Sequence, residues 1–397
     1  MENVSNRVNQ LAVSETLAMS QKSRELKAQG HNVINLSVGE PDFHTPDFVK
    51  EAAKKAINDN ITFYSPVPGF PDLLKAISEK LKRENSLNYS TDQIVVSGGA
   101  KHSLSNVLMA LVNPGDEVII PAPYWVSYVE LVKLVDGKGV VIPTSLESDF
   151  KISPKQLEDA ITPKTKVLMI CSPSNPTGSI YSRQELKAFA SVLEKHPNIY
   201  IISDEIYEHI NYMGTHESIA QFESIADRVI IVNGVSKGYA MTGWRIGYCA
   251  APKWIAKACQ KLQGQMTSGT CSIAQKAATA AINSDASYPK MMREAFMHRR
   301  DVVIERLKKI TGFKAKVPQG AFYVFAEVSY FFGKKHGHKT IENSADLCMY
   351  LLNNAFVATV PGSAFGADNY IRFSYAASEE ELLEALNRIE KAVAELI

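Results

Sequence analysis

The sequence predicts an α/β protein with a large domain on a mainly parallel seven-stranded sheet, joined to a smaller α+β domain. Three observations carry this. Short β-branched runs alternate with helical patterns between about residues 47 and 290, the pattern of repeated strand–helix units. Several of these runs are apolar without alternation, as in strands covered by helices on both faces. The length, 397 residues, exceeds what one core usually reaches, about 250–300 residues.

In chain order, residues 1–15 are polar and weakly periodic and read as an arm. The strand candidates are QIVVS (93–97), EVIIP (117–121), GVVIP (139–143), KVLMIC (166–171), IYIIS (199–203), RVIIVN (228–233) and RIGYC (245–249). Thr45-Pro46 opens one helix. Ser153-Pro154 with Gln156, and Ser182 with Glu185, have the spacing of capping boxes, in which a hydroxyl and a side chain three residues on satisfy each other's backbone N–H. After about residue 290 come a long helix, the strands AFYVFAEV and YIRFSYA, and a closing helix capped at Ser378. The expected division is an arm (1–15), a small domain (16–46 with 291–397) and a large domain (47–290).

Composition narrows the function. Forty-three Lys and Arg against 42 Asp and Glu leave a net charge of +1, so no global field draws the chain to nucleic acid or an anionic membrane. With 45% hydrophobic residues it can bury a sizeable core. The five cysteines, without any CxxC spacing, suggest reduced thiols in a cytoplasmic protein rather than a disulfide frame or zinc site. The longest apolar runs, such as Val107–Val112, fall far short of the ~18 residues of a membrane span. A soluble protein without leader or membrane anchor is expected.

In open parallel sheets, ligands bind beyond the carboxyl ends of the strands, so the residues there matter most. QIVVS is followed by Gly98-Gly99-Ala100 and a helix from about Lys101, where free N–H groups hold a phosphate or the glycines make only a tight turn. KVLMIC leads into SPSNPTG with Asn175, which also reads as an ordinary Asn-Pro loop. IYIIS leads to Asp204 and Tyr207, where the carboxylate also suits a helix cap. RVIIVN leads to Ser236-Lys237-Gly, with Arg245 eight residues on; a lysine on such a loop is usually just exposed. Each signal alone is weak. Together at the ends of one sheet they suit pyridoxal phosphate chemistry: a lysine for the aldehyde, a carboxylate for the pyridine nitrogen, an arginine and backbone amides for the phosphate.

At these residues the sequence resembles the fold-type I, class I aminotransferases, and within them the bacterial and plant-type aspartate aminotransferase subgroup. The resemblance covers essentially the whole chain and rests on VGEPDF (38–43), PYWVSY (123–128), NPTG (175–178), SDEIYEH (203–209), SKGYAMTGWRIGY (236–248) and YIRFSYA (370–376). It implies the two-domain fold of that family and pyridoxal 5'-phosphate as cofactor. Lys237 then resembles the Schiff-base lysine and proton carrier. Asp204 is similar to the partner of the ring nitrogen, Tyr207 and Asn175 to the donors at the phenolic oxygen, and Trp125 to the aromatic stacked on the ring. Gly99, Ala100, Lys101, Ser236 and Arg245 resemble the phosphate cradle. Tyr64, in TFYSPVPG, resembles the residue that reaches the neighbouring subunit's phosphate, which implies a homodimer with shared sites. Gly39 is similar to a backbone lining of the substrate pocket, and Arg372 to the clamp for the substrate α-carboxylate, whose planar fork lysine cannot reproduce.

The implied reaction moves an amino group from aspartate to 2-oxoglutarate by a ping-pong mechanism, with amino acids and 2-oxo acids as the only partners besides a second copy. One branch of the family holds the second substrate carboxylate with an arginine in the stretch matching Lys261–Ser272; here that stretch has none. The resemblance then points to Lys101 for that role, and to Thr16 as a mark of members that accept prephenate. Prephenate, alanine and aromatic acids are the competing substrates. A regulatory protein on the same fold is disfavoured, as no basic DNA-binding segment is present. His336-Gly-His338 lies in a Lys-rich stretch and is not read as a metal site; no metal is expected. The cysteines are read as core or helix-face thiols, and Trp244 and Trp254 as packing residues.

Overall fold

The computed structural model describes residues 4–13 and 15–397. Seven strands form the main sheet: β1 (Ile94–Ser97), β2 (Glu117–Pro121), β3 (Lys138–Ile142), β4 (Thr165–Cys171), β5 (Tyr200–Asp204), β6 (Val229–Gly234) and β7 (Gly247–Ala250). Their spatial order is β1-β7-β6-β5-β4-β2-β3, and β7 alone runs antiparallel to its neighbours. This reversal matters for the site. It brings the amino end of β7, with Arg245 just before it, to the edge where the other strands end.

The sheet is apolar on both faces, which is why its strands read as unbroken runs. Ile94, Val96, Leu168, Ile170, Ile201, Val229 and Ile231 join one core cluster, with Val49, Leu73, Ile77, Phe189 and Ala278 from the covering helices. The alternate residues Val95, Val167, Met169, Ile202, Ile230 and Val232 join the other, with Leu104, Val107, Leu108 and Ile255. Successive strand side chains point to opposite faces, and both faces are dry. Truncating one such residue to alanine costs roughly 2–5 kcal/mol, transfer and cavity terms together.

The capping boxes form as the spacing predicts, at Ser153/Gln156 and Ser182/Glu185, and Ser378 caps the last helix, Glu379–Ala394. Thr45 does not cap. Its hydroxyl donates to Ala240 O at 2.7 Å and accepts from Trp244 Nε1 at 2.9 Å, while Pro46 stands at the N-cap of the helix Asp47–Asn58. Thr45 ties that helix start to the loop before β7.

The second unit has a three-stranded antiparallel sheet of β8 (Tyr323–Glu327), β9 (Val360–Pro361) and β10 (Tyr370–Ser374), in the order β9-β10-β8. The helices Ser287–Leu307 and Glu379–Ala394 pack against it. Met19, Val33, Ile34 and Leu36 share this core with residues 292–396, and Ile34–Asn35 pairs with Val357–Ala358. Tyr207 and Ile210, from the turn after β5, belong to it too, so that turn bridges both cores. Residues 6–9 form an exposed helical turn, attached by an Arg7–Asp136 ion pair of 2.7 Å and by Ala12 N–H on Glu130. The next helix begins at Glu15.

Candidate active site

A cleft of about 280 Å³ opens where the strands β1, β4, β5 and β6 end and the second unit meets the sheet. Thr16, Gly39, Ala100, Lys101, Trp125, Asn175, Asp204, Tyr207, Ser236, Lys237, Arg245 and Arg372 all line it. The sequence spreads these over more than 350 positions; the common strand edge gathers them.

At the end of β1 the chain turns directly into the helix Ala100–Leu111, whose first N–H groups have no intrahelical acceptor. Gly99 is required twice over. Its φ is +91°, and a Cβ there would meet the Arg245 guanidinium at 2.1 Å. Gly247 is equally constrained, since its Cβ would meet Ala100 N at 2.2 Å. Two glycines thus let β7 press against the helix start and lay Arg245 over it. Arg245 itself does not begin the strand. It stands exposed in a left-handed conformation, φ 57°, with Nη1 on Thr242 O at 2.7 Å.

Asp204 closes β5 and is buried. Its Oδ2 accepts from Tyr128 Oη at 2.6 Å and its Oδ1 from Ile206 N at 3.3 Å. Burial raises its pKa to about 6, with the Tyr128 hydrogen bond opposing. No helix follows it, so it caps only its own turn. Lys237 lies beyond β6 and donates to Gly39 O. Burial lowers its pKa to about 8; Glu40 opposes this and Arg245 and Arg372 add to it. An amine at that value is neutral in a useful fraction near neutrality, which nucleophilic attack requires.

Arg372, on β10, is 2% exposed. It donates to Asn175 Oδ1 at 2.9 Å and Ser37 O at 2.7 Å, stacks at 4.4 Å over the Tyr323 ring, and leaves its Nε without a partner. Tyr207 and Tyr323 share a hydroxyl contact of 2.8 Å beside it. Lys101 Nζ sits 4.9 Å from the centroid of Trp125, its pKa lowered by burial and by Arg245.

Two of the expected residues stand apart. Gly99 lies beneath the lining, where its lack of a side chain makes room. Tyr64 is 97% exposed and borders a separate depression with Gly269–Ile273, outside its own chain's cleft. Sequence reasoning missed Tyr128, Tyr323, Cys171 and Thr242, which also line the cleft. Tyr128 ends the PYWVSY motif and Tyr323 sits in the strand AFYVFAEV; a helical i, i+3 step from Trp125 was the available signal for the first. Cys171 is therefore a cleft residue rather than a core or helix-face thiol, while Cys271 stands exposed at the N-cap of the helix Ser272–Ile282. Trp254, though 51% exposed, packs edge-on against Tyr200 with ring centroids 5.5 Å apart, and Trp244 is partly buried; neither lines the cleft, as expected of packing residues.

Among the lining residues, Lys101, Lys237, Arg245 and Arg372 face a single carboxylate, Asp204. Such a surplus suits a ligand carrying several negative charges. The chemistry of the donor set fits pyridoxal 5'-phosphate: a glycine cradle with free N–H groups and an arginine for the phosphate, a buried carboxylate for the pyridine nitrogen, and an amine of lowered pKa for the aldehyde. A Cβ at Gly99 would fill that cradle.

A family profile described as aminotransferase class I and II matches residues 31–389. The bifunctional aspartate aminotransferase and glutamate/aspartate-prephenate aminotransferase of Petunia hybrida is 48% identical over 98% of this chain and 82% of its own length. The aspartate/prephenate aminotransferase of Nitrosomonas europaea is 47% identical over 97% of this chain and 98% of its own. Among solved structures, the aspartate aminotransferase of Rhizobium meliloti superposes with a TM-score of 0.96 at 44% identity, covering 100% of both chains. That of Thermus thermophilus with maleate gives 0.93 at 41% identity, over 99% of this chain and 100% of the other. With the matching cleft, these likenesses establish that the chain belongs to the class I and II aminotransferases and is a pyridoxal-phosphate-dependent enzyme of fold type I.

Proposed function

We propose that this enzyme is an aspartate aminotransferase: L-aspartate and 2-oxoglutarate exchange an amino group to give oxaloacetate and L-glutamate, reversibly and by a ping-pong route. The observation that carries the reading of an amino-acid substrate is Arg372, while the choice of aspartate is supported by Lys101 in the cleft wall and by the names of the relatives. Arg372 is a fully buried cation with one nitrogen unsatisfied and no carboxylate opposite it, at the floor of the cleft that holds Lys237. Burying an unpaired charge costs several kcal/mol, so the site favours a ligand that brings a carboxylate to it.

When bound, pyridoxal 5'-phosphate supplies an aldehyde that condenses with amines and a ring that accepts an electron pair. The protein's part is to bind, orient and move protons. Ala100, Lys101 and Ser236 would hold the phosphate with Arg245, over the space kept clear by Gly99. Asp204, oriented by Tyr128, would hold a proton on the pyridine nitrogen. Tyr207 and Asn175 would donate to the phenolic oxygen, and Trp125 would cover one ring face. Arg372 would orient the amino acid by two parallel hydrogen bonds. Lys237 Nζ would take the proton from the substrate Cα and deliver it to the carbon that had carried the aldehyde, two atoms along, a base whose pKa of about 8 suits work near neutrality. Lys101 would meet the side-chain carboxylate, and Gly39 would shape the pocket by its backbone.

Prephenate is the second amino acceptor that a specific observation favours. Thr16 lines the cleft opposite the sheet edge, beside Leu17, and offers a hydroxyl where a bulkier acid would lie. The printed names of several relatives point the same way. We further propose a homodimer in which Tyr64 serves the partner's phosphate, a division into a small domain (16–46 and 291–397) and a large one (47–290), and a cytoplasmic location. The exposed side chains of Phe63 and Tyr64 support the first, the shared core of residues 19–36 with 292–396 the second, and five free cysteines the third. No helix among the described residues is long and apolar enough to cross a membrane.

The test is a half-reaction panel on the holoenzyme, following the cofactor absorbance with aspartate, glutamate, alanine, phenylalanine and arogenate. Aspartate and glutamate should react fastest and arogenate measurably. Preference for alanine or phenylalanine over aspartate would overturn the assignment.

A further inference from the structure

The turn after β5 has a second side. Asp204 and Tyr207 line the cleft, whereas Glu205 and Glu208, 1% and 7% exposed, do not line it. Lys80, on the helix Pro71–Asn85, is 3% exposed. Its Nζ donates to Glu208 Oε1 and to Asn85 Oδ1 at 2.9 Å. Glu208 Oε1 also accepts from Asn233 Nδ2 at 2.7 Å, and Oε2 from Asn85 Nδ2 at 2.9 Å. Asn233 belongs to β6, four residues before Lys237.

The surrounding groups add two imidazole–carboxylate contacts, while His216 Nδ1 is left without a partner. Glu84 Oε2 meets His209 Nε2 at 3.0 Å, and Glu205 accepts from Ser203 and Ser218 and meets His216 Nε2 at 3.0 Å. The carboxylates and imidazoles lie close enough together to suggest cation ligands. Here the shared member is engaged: the Lys80 ammonium lies against Glu208 and 3.7 Å from Glu84, and both oxygens of Glu208 already accept hydrogen bonds. Burial would raise the Glu208 pKa, but Lys80, His209 and His216 outweigh it and hold the carboxyl ionised well below the usual range.

A buried ion pair contributes little stability relative to apolar residues of the same shape, and its better-attested use is to specify one arrangement. This pair sits where three segments meet: the helix Pro71–Asn85, the turn with Asp204 and Tyr207, and the strand leading to Lys237. A displacement of about 1 Å between reacting groups costs on the order of a hundredfold in rate.

We propose that the Lys80–Glu208–Asn233 junction is a positioning device for the reaction, locking the carboxylate and phenol of the β5 turn in register with the Lys237 amine. None of the three touches the cleft; they act through the segments they join. The inference rests on the assignment of Asp204, Tyr207 and Lys237 to the reaction, and not on which amino acid is the donor.

The test compares the wild-type holoenzyme with Asn233→Ala, which cuts the link between Glu208 and β6 and also the bond that Asn233 Oδ1 accepts from Gly234 N, and with the neutral double variant Lys80→Met/Glu208→Met. Three readings are taken: melting temperature, kcat and KM in the half-reaction, and the pH midpoint of the absorbance of the lysine-bound cofactor. The midpoint needs no substrate, so a wrong donor assignment would leave it intact. Both variants should melt within about 5 °C of wild type, lose kcat at least tenfold at similar KM, and shift the midpoint by about half a unit or more. An unchanged kcat and midpoint in a folded variant would overturn the proposal. So would activity losses that simply follow the folded fraction. If the double variant does not fold, Asn233→Ala decides alone; if Asn233→Ala loses the fold, the junction is a stability element and the proposal falls.

Discussion

On the cleft side of the β5 turn, four cationic side chains line a wall with one carboxylate, and a nitrogen of buried Arg372 has no partner. On the other side, a few residues away, Lys80, His209 and His216 stand among Glu84, Glu205 and Glu208, and each carboxylate has at least one donor or imidazole against it. Both regions are charged, and each has a buried centre: Arg372 and Asp204 in the cleft, and Lys80, Glu205 and Glu208 on the far side. The difference is that every carboxylate on the far side has a lysine or imidazole partner within the chain, although His216 Nδ1 has none, whereas in the cleft no carboxylate faces Arg372. Charge left unmatched in a cleft marks binding, since it is compensated only when anions arrive; charge matched in the interior marks architecture.

The largest effect is expected at Lys237. Lys237→Ala would remove the amine proposed as both nucleophile and proton carrier, so turnover should fall by several orders of magnitude, roughly 10⁴-fold or more, while the cofactor should still bind through Asp204, Arg245 and the helix start. Borohydride treatment of the wild-type holoenzyme and peptide mapping should find the stable adduct on Lys237; an adduct on another lysine would sink the assignment.

The comparison is sharpest in a matched pair of variants. Lys80→Met leaves Glu208 buried and unpaired and should cost about 3–5 kcal/mol of stability. Arg372→Met removes a charge that no carboxylate faces, together with its bonds to Asn175 Oδ1 and Ser37 O, so the apoenzyme should lose clearly less stability than Lys80→Met does while kcat/KM falls at least a hundredfold for every amino acid. Calorimetry of both apo variants checks this. Equal destabilisation would erase the distinction between the two regions.

Lys101→Ala tests which substrate group completes the upper cleft. It should reduce kcat/KM for aspartate and glutamate by roughly 2–4 kcal/mol of transition-state binding, the scale for breaking a desolvated charge pair, and that for alanine far less. Equal losses for aspartate and alanine would show that Lys101 does not hold the side-chain carboxylate.

Smaller effects are expected from Tyr128 and Thr16. Asp204 has a raised pKa, about 6, and the Tyr128 hydrogen bond is what lowers it against burial. In Tyr128→Phe the carboxyl should hold its proton to higher pH. The acid limb of the pH–rate profile should therefore move alkaline by about one unit, with little change above pH 8. A shift to the acid side would contradict the role given to this tyrosine. Thr16→Val should lower activity with prephenate by about 1 kcal/mol, the net value of one hydrogen bond, and leave aspartate nearly untouched. Steady-state kinetics with both acceptors decides it.

Much of this enzyme was legible in its residues. The strand runs, the capping boxes at Ser153 and Ser182 and the motifs around Asn175, Asp204 and Lys237 depend on local chemistry, which a linear reading reaches. Apolar strand runs, helix caps and glycine turns are set by neighbours a few positions apart, so the fold class and the strand-end residues could be expected before any coordinates, whereas Thr16, Gly39, Trp125 and Arg372 were expected in the cleft only because their motifs resemble those of the family. Other features needed the assembled chain. Whether Thr45 caps a helix or ties it to Trp244 depends on a contact across 199 positions. That Arg245 precedes its strand follows from β7 running against its neighbours, and that Tyr323 meets Tyr207 follows from β8 lying beside the β5 turn. The two glutamates of SDEIYEH look alike as letters beside Asp204. Only packing, which buries them against Lys80 and His216 on the side away from the cleft, separates the residues that bind from those that hold the binding residues in place. Local sequence carries the propensity of each element, but the sign and completeness of a buried charge set depend on what the rest of the chain brings within hydrogen-bonding distance.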